Sequence, residues 1–108
     1  MSMRWNVDVI AIYLSLTAKS GRGRELRERL IELAAVCRLD KGCLMYTVNI
    51  PEATESSLND ETLFVYEQYA GEAGLAEHRA NEEVQRLSIG VRDATAHIQI
   101  VRGHLLSG

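Results

Sequence analysis

The sequence predicts a single α+β domain in which one antiparallel sheet carries its helices on one face. A chain of 108 residues is long enough for one hydrophobic core and too short for two. Its apolar residues follow a strand period in some segments and a helix period in others, in the order β-α-β-β-α-β. That order is typical of the ferredoxin-like sandwich. We therefore expect one domain over residues 1–108, with its core at about 6–103.

The first half of the chain predicts a strand, a helix and a second strand. Val7 to Leu16 is nearly all apolar, rich in β-branched residues and too short for a typical helix. In RELRERLIELAAVCR, leucines recur at helical spacing, which predicts an amphipathic helix that ends near Arg38. LDKG forms the turn. The second strand is Cys43 to Ile50, and Pro51 ends it because proline cannot donate to a β-ladder.

The second half predicts a strand, two helical pieces and a last strand. Thr62 to Tyr69 is the third strand, which forms a hairpin with the second. Gly71 is the predicted N-cap of a short helix from about Glu72 to Arg79. A second helical piece begins at about Asn81. The segment ATAHIQIVRG is the last strand, because apolar and polar residues alternate along it.

The hairpin loop PEATESSLNDE, residues 51–61, contains four acidic residues and no basic one. A solvated hairpin tip is the favoured interpretation of this composition. A lid or a partner-binding loop is the alternative, because long ordered loops often carry function.

The first strand is apolar on both sides, although helices cover only one face of a sheet. The other face needs a partner if it is not to remain an exposed apolar patch, and a second copy related by a two-fold axis is the simplest one. We therefore predict a homodimer built sheet against sheet, with Tyr13 and Tyr66 as aromatic residues of the dimer core. The two sides of the strand are Val7, Val9, Ala11 and Tyr13, and Ile10, Ile12 and Leu14.

Charge and hydropathy argue against two classes of partner. The net charge is −3 and the arginines of the first helix are interleaved with glutamates, so we expect no nucleic acid and no anionic membrane as a partner. The N-terminal apolar run is too short to span a bilayer and has no small-residue cleavage site. We expect a cytoplasmic protein in which Cys37 and Cys43 are reduced thiols, since they form no C-x-x-C motif.

Motifs for bound cofactors are missing from the sequence. His97 and His104 lie seven residues apart and match no metal-binding spacing. Nucleotide loops, dinucleotide fingerprints and the G-x-S-x-G motif of serine hydrolases are also absent. The sequence therefore predicts neither a metal nor an organic cofactor.

Four short motifs, in order and at matching intervals, resemble the antibiotic biosynthesis monooxygenase (ABM) family of the dimeric α+β barrel superfamily. They are KSG before the first helix, KGCLMY at the start of the second strand, YEQY in the third, and GLAEH in the following helix. The resemblance implies a ligand cavity between sheet and helices. It also implies a range of activities, from cofactor-free oxygenases and haem-degrading enzymes to a sugar-phosphate isomerase, so the fold alone does not define the reaction.

The chain departs from the family pattern at two places. Tyr69 stands where the family usually has tryptophan, and Asn81 to Val84 stand where many members have proline, histidine and an aromatic residue. Haem-degrading members bind iron through a histidine in the second helical region. No histidine occurs between Asn81 and Asp93, which argues against haem breakdown.

Glu67 and His78 are the first candidate site residues, because strand and helix lengths place them at similar distances from the turn at Gly71. A structural pair is the favoured interpretation, since a buried carboxylate needs a partner. The alternative is catalytic: Glu67 orients His78, which accepts a proton from a phenolic substrate.

Three further residues are candidates for the cavity. Tyr69 shares a side of its strand with Glu67, so the resemblance places both on the cavity face; a core aromatic is the alternative. Tyr46 and Asn49 are candidate substrate contacts, but they lie on opposite sides of the second strand. At most one of these two therefore faces the cavity.

The sequence thus predicts a cofactor-free monooxygenase that acts on an electron-rich aromatic such as a hydroquinone or a polyketide phenol. Its predicted catalytic residues are His78, Tyr69 and Glu67. The alternative is a non-catalytic dimeric ligand-binding protein of the same fold.

Overall fold

The computed structural model describes residues 8–52 and 62–107. It has four strands and three helices, in an order that confirms the predicted α+β ferredoxin-like fold. The second helical region is divided at Asn81 into two helices. The elements are β1 (Val9–Ala18), α1 (Gly23–Cys37), β2 (Cys43–Asn49), β3 (Thr62–Ala70), α2 (Gly71–Ala80), α3 (Glu82–Ala94) and β4 (Thr95–His104).

The element bounds agree with the prediction to within two residues. The largest shift is in β1, which extends to Ala18 rather than ending at Leu16. Gly71 is the first helical residue of α2 rather than its N-cap, and its φ of 71° suits glycine because this residue has no Cβ. Two predictions fall outside the described residues. They concern Val7 at the start of the first strand and all of the acidic loop 51–61 beyond Glu52.

The four strands form one antiparallel sheet in the order β2-β3-β1-β4. Cross-strand partners share a face, so the register defines which side chains lie beneath the helices. One such row crosses the sheet from Tyr46 through Glu67 and Ile12 to Arg102. The apolar faces of the helices and the sheet bury two groups of side chains. The larger lies beneath α1 and α3, and the smaller joins Ile10, Ile12, Tyr69 and Leu75 beneath α2.

Helix α2 reaches the sheet through a contact between two glycines. A Cβ on Gly42, just before β2, would lie 2.5 Å from the Cα of Gly74 in α2. A Cβ on Gly74 would lie 2.9 Å from the carbonyl oxygen of Gly42. The same turn is tied to β3 because the amide of Ala70 donates to the Gly42 carbonyl at 2.8 Å. The backbones therefore touch where α2 passes the turn at residues 38–42.

The face of the sheet opposite the helices is apolar and open in the single chain. Tyr13 is 51% exposed, and Phe64 and Met45 are each 42% exposed. The rings of Tyr13 and Tyr66 are in contact, with centroids 4.8 Å apart. This surface is the one that the sequence assigns to a dimer partner, and the dimer stays a prediction.

Candidate functional site

Glu67 lies near the middle of β3 on the face beneath the helices. It is 5% exposed and is the buried charged side chain of the described residues. Its partner is Tyr69 on the same side of the strand, whose hydroxyl donates a hydrogen bond to Oε1 of Glu67. The prediction that both residues share a side of the strand is therefore confirmed, and Tyr69 is completely buried.

Burial disfavours the charged form of this carboxyl. It raises the pKa of Glu67 to about 7, while the hydrogen bond from Tyr69 and the positive charge of Arg79 act in the opposite direction. The pKa of Tyr69 is also raised, first by burial and then by the charge of Glu67. In this pair the hydroxyl of Tyr69 is the donor and the carboxyl of Glu67 is the acceptor, and the carboxyl has a pKa near neutrality.

His78 lies on α2 with its ring against that of Tyr69, and the ring centroids are 4.7 Å apart. Its Nδ1 lies 3.3 Å from Oδ2 of Asp40, in the turn between α1 and β2. A carboxylate only accepts hydrogen bonds, so Nδ1 carries the proton and Nε2 is the acceptor nitrogen of the neutral ring. Burial lowers the pKa of His78, and Asp40 partly opposes this effect.

Asp40 is held on its other side by Asn81. The amide nitrogen of Asn81 donates to Oδ1 of Asp40 at 2.6 Å. The amide oxygen of Asn81 accepts from the backbone N–H groups of Glu83 and Val84, at 3.0 and 3.2 Å, and so caps α3. Both hydrogen-bonding ends of Asn81 are used. The start of α3 therefore fixes Asp40, and Asp40 fixes the imidazole of His78.

The prediction that Glu67 and His78 pair directly with each other is wrong, because each has a different partner. Glu67 binds Tyr69 and His78 binds Asp40, and the two pairs meet only through the ring contact between Tyr69 and His78. The physical reason is that Tyr69 occupies the space between the strand and α2. Its hydroxyl already reaches Glu67, so the carboxyl needs no partner from the helix.

Tyr46 and Asn49 lie on opposite faces of the sheet, as predicted. Tyr46 is opposite Glu67 in the register, is 4% exposed, and has its ring centroid 6.5 Å from that of His78. Asn49 lies on the open face, where its amide donates to Thr47 Oγ1 at 3.1 Å and to the carbonyl of Phe64 at 3.3 Å. Asn49 is therefore remote from the other four predicted residues.

Behind Tyr46 lies the thiol of Cys37, in the last turn of α1. Burial raises the pKa of the Cys37 thiol to about 12, and the nearby Glu67 adds to the effect. The pKa of Tyr46 is raised as well, chiefly by burial. Neither group is an anion at neutral pH, so both act here as packed neutral side chains.

A cleft of about 430 Å³ opens between α2 and α3 and is the space next to His78. Of the five predicted site residues, His78 alone lines it. Glu67, Tyr69 and Tyr46 are buried and do not line this cleft. The lining residues are His78, Arg79, Val84, Gln85, Ser88, Ile89 and Arg92.

Sequence reasoning missed Asp40, Asn81, Arg79 and Arg92 as site residues. Asn81 carried a usable signal, because an asparagine before two glutamates is typical of a helix N-terminus. Asp40 carried none, since its partner lies 38 residues further along the chain. The two arginines are recognisable only once α2 and α3 are known to face one cleft.

The part of the chain that the structure describes contains neither a candidate metal site nor a candidate membrane-spanning helix. No group of three His, Cys, Asp or Glu side chains within 8–52 and 62–107 is placed to hold a metal ion. No helix in these ranges has the length and hydrophobicity needed to cross a membrane.

Comparison with known proteins assigns the chain to a family. The sequence profile of the family described as Antibiotic biosynthesis monooxygenase (ABM) matches residues 9–88. This range includes the polar network formed by Glu67, Tyr69, His78, Asp40 and Asn81. The protein belongs to the ABM family. None of the curated proteins compared with it matches significantly in sequence.

Solved structures share the fold over nearly the whole chain. PA3566 from Pseudomonas aeruginosa is 22% identical, with a TM-score of 0.80 over 94% of this chain and 98% of that one. SO0527 from Shewanella oneidensis is 21% identical, with a TM-score of 0.78 and coverages of 97% and 98%. SnoaB from Streptomyces nogalater, a cofactor-independent oxygenase solved as a point mutant, is 12% identical, with a TM-score of 0.77 and coverages of 94% and 96%. At these identities the likeness concerns the fold.

Proposed function

We propose that the protein is a cofactor-independent monooxygenase that acts on an electron-rich aromatic, a hydroquinone or a polyketide phenol, with His78 as the general base. The observation that carries this proposal is the Asp40–His78 pair at the cleft. Asp40 holds Nδ1 as the donor, which leaves Nε2 free to accept a proton from a phenol bound there. Membership of the ABM family supports the same class of reaction.

The chemistry needs a base and a dry cavity rather than a bound redox group. Removal of the phenolic proton makes the substrate electron-rich enough to reduce O₂ itself. In an anthrone-type phenol, a ring CH₂ group becomes a carbonyl: one oxygen atom enters the product, the other leaves as water, and all four electrons come from the CH₂ carbon. The protein must bind the phenol, accept its proton and exclude water from the intermediate.

The buried residues behind His78 have supporting roles in this proposal. Tyr69 packs against the imidazole ring, and Glu67 orients Tyr69 through its hydroxyl. Tyr69 is fully buried and Glu67 nearly so, and therefore neither contacts a substrate in the cleft. Tyr46, on β2, is buried with its ring centroid 6.5 Å from that of His78. Asn49 lies on the opposite face of the sheet and has no part in the site of one subunit.

The proposal includes a homodimer through the open sheet face. The support is that large apolar side chains, among them Tyr13, Phe64 and Met45, are exposed together on this face. Sedimentation velocity at micromolar concentration tests it. A monomer under these conditions contradicts the dimer and leaves the proposed chemistry untouched, because the residues of the cleft come from one chain.

The direct test is oxygen consumption by chelator-treated protein supplied with a panel of anthrones and hydroquinones. We expect turnover of at least one compound, and a loss of roughly 10²-fold or more in His78→Gln, the contribution typical of a positioned base. His104→Gln is the matched control because this histidine is exposed on β4. Equal rates in the two variants would remove His78 from the mechanism.

The alternative function is a non-catalytic ligand-binding protein with the same cleft. Saturable binding of these aromatics without oxygen consumption favours it. The observation on its side is that much of the polar network is buried and internally satisfied, as expected of a structural support.

A further inference from the structure

The cleft beside His78 carries positive charge in an acidic protein. Two of its seven lining residues are Arg79 and Arg92, and none is acidic. The chain as a whole has 15 acidic and 12 basic residues, so this local balance opposes the overall one. A concave site lined by one sign of charge attracts ligands of the opposite sign.

Among the described residues, the two guanidinium groups differ from most other arginines in lacking a carboxylate partner. Four others are engaged in ion pairs, namely Arg22, Arg29, Arg86 and Arg102. Within residues 8–52 and 62–107, neither Arg79 nor Arg92 has a carboxylate at ion-pair distance or any side-chain hydrogen bond. Their donors are therefore available to a ligand.

Each of the two arginines also lines a neighbouring hollow. Arg79 also borders a hollow of about 560 Å³ along α2, and Arg92 also borders a smaller one of about 120 Å³ next to β4. Val84 and Arg92, at the two ends of the α3 wall, are eight residues apart, or about 12 Å along a helix. This length accommodates an aromatic ring and one substituent along the α3 wall.

The wall between the arginines is suited to an amphipathic ligand. Val84 and Ile89 supply apolar surface, and Ser88 supplies a hydroxyl. The side-chain amide of Gln85 donates to the backbone carbonyl of Arg79 at 2.8 Å, which ties the two helices together across the cleft. The walls are thus held at a fixed spacing and do not depend on the ligand for closure.

We infer that this cleft binds an aromatic substrate carrying an acidic substituent, a carboxylate or a phosphate, and that Arg79 and Arg92 bind that substituent. The inference rests on the proposed function in placing the phenol at His78. The planar guanidinium fork matches both anions, and a hydrogen bond between two charged groups is stronger than one between neutral groups. Arg79 directly follows His78 in α2 and lines the same cleft, so one ligand can contact both side chains.

The test is equilibrium binding under anaerobic conditions, measured by calorimetry so that no turnover is needed. The probes form two matched pairs: 2,5-dihydroxybenzoate with its methyl ester, and 4-hydroxyphenyl phosphate with hydroquinone. We expect at least one acid to bind about tenfold or more tightly than its neutral counterpart, with a preference that weakens as salt is raised. The acid with the larger preference identifies the substituent.

Three variants assign the preference to residues. Arg79→Gln and Arg92→Gln should each reduce it about tenfold while leaving affinity for the neutral probe unchanged. Arg86→Gln is the control, because Arg86 lies on α3, is paired with Glu83 and does not line the cleft. Arg→Lys at the same two positions retains the charge without the fork, and it replaces any Gln variant that fails to fold.

Equal binding of acid and neutral probe, or no saturable binding of either acid, overturns the inference. A preference that survives both Gln substitutions overturns it as well. These results are separable from the proposed function. If neutral and acidic phenols are oxidised at equal rates, the oxygenase function is supported and the anion site is rejected. If the acids bind much more tightly than the neutral probes but no oxygen is consumed, the anion site is supported and the oxygenase function is rejected.

Discussion

Two carboxylates of this protein, Glu67 and Asp40, lie on either side of one aromatic contact and have different surroundings. Glu67 is sealed beneath α2 with the hydroxyl of Tyr69 as its donor, and burial raises its pKa to about 7. Asp40 lies in a turn, with donors from His78 and Asn81. The first pair is inaccessible, and the second presents an imidazole to a cleft.

The difference shows that access to ligand, rather than the presence of paired polar groups, separates a catalytic candidate from a structural one. A buried carboxyl with one donor and a raised pKa has the signature often associated with active sites. Here the same signature arises from desolvation in the core, where no substrate reaches it. A substitution at Glu67 should therefore change mainly the stability of the protein, whereas a substitution at Asp40 should change mainly its activity.

The largest expected effect comes from disrupting the backbone contact between Gly42 and Gly74, where α2 packs against the turn that contains Asp40. In Gly42→Ala the new Cβ would lie 2.5 Å from the Cα of Gly74, and backbone atoms on both sides prevent relief by a side-chain rotation. We expect a loss of at least about 3 kcal/mol in the free energy of unfolding, measured by denaturant titration. Gly103→Ala is the control, because nothing lies within 4 Å of its Cβ position. Similar stabilities for the two variants would show that α2 moves freely over the turn.

The second prediction concerns the pH dependence of stability at Glu67. Its pKa is higher in the folded protein, about 7 against a reference of 4.5, so the folded state holds the extra proton between these values. The contribution of Glu67 is therefore fully present below pH 4.5 and is lost as the pH rises through 7, by about 3 kcal/mol in total. Glu67→Gln cannot ionise and should lack this loss.

The measurement is the difference in unfolding free energy between wild type and Glu67→Gln from pH 5 to pH 8. The contribution of His78, whose lowered pKa makes stability fall as the pH drops below 6.5, is expected to cancel largely in that difference. Glu83→Gln is the control, because Glu83 is exposed and the pairing with Arg86 lowers its pKa further below this range. Parallel pH curves for wild type and Glu67→Gln would refute the assignment.

The same two pairs show how far the sequence predicts the site. The period of two along β3 places Glu67 and Tyr69 on one face, and the helical spacing of α2 directs His78 toward that face, so three members of the network follow from local pattern. The partner of His78 does not follow, because Asp40 reaches it only through the passage of α2 over Gly42. Contacts that depend on two backbones touching carry no periodic signal. The arginines of the cleft were missed for the same reason, since α2 and α3 look like ordinary amphipathic helices in the sequence.

The third prediction tests Asp40 as a positioning residue. Its carboxylate raises the pKa of His78 against the opposing effect of burial, so Asp40→Asn should lower that pKa further. Under the proposed function we expect the plateau rate of oxygen consumption to fall by roughly 10²-fold, with the acid limb of the pH profile shifted to lower pH. Other groups facing His78, namely Tyr69, Tyr46 and Arg79, are unchanged. A merely structural role for Asp40 would reduce the rate without moving the acid limb.

The smallest expected effect separates the hydroxyl of Tyr69 from its ring. Tyr69→Phe keeps the ring contact with His78 but removes the hydrogen bond to Glu67. That hydrogen bond favours the ionised carboxyl and lowers the pKa of Glu67. The loss of stability should be about 1.5 kcal/mol at pH 8, where Glu67 is ionised, and smaller at pH 5, where it is protonated. Tyr66→Phe is the matched control on the open face, where the Tyr66 hydroxyl accepts from Gln68 at 2.7 Å. If Tyr69→Phe costs the same at both pH values, its hydroxyl does not discriminate between the two protonation states of Glu67, and burial alone would account for the titration of that carboxyl.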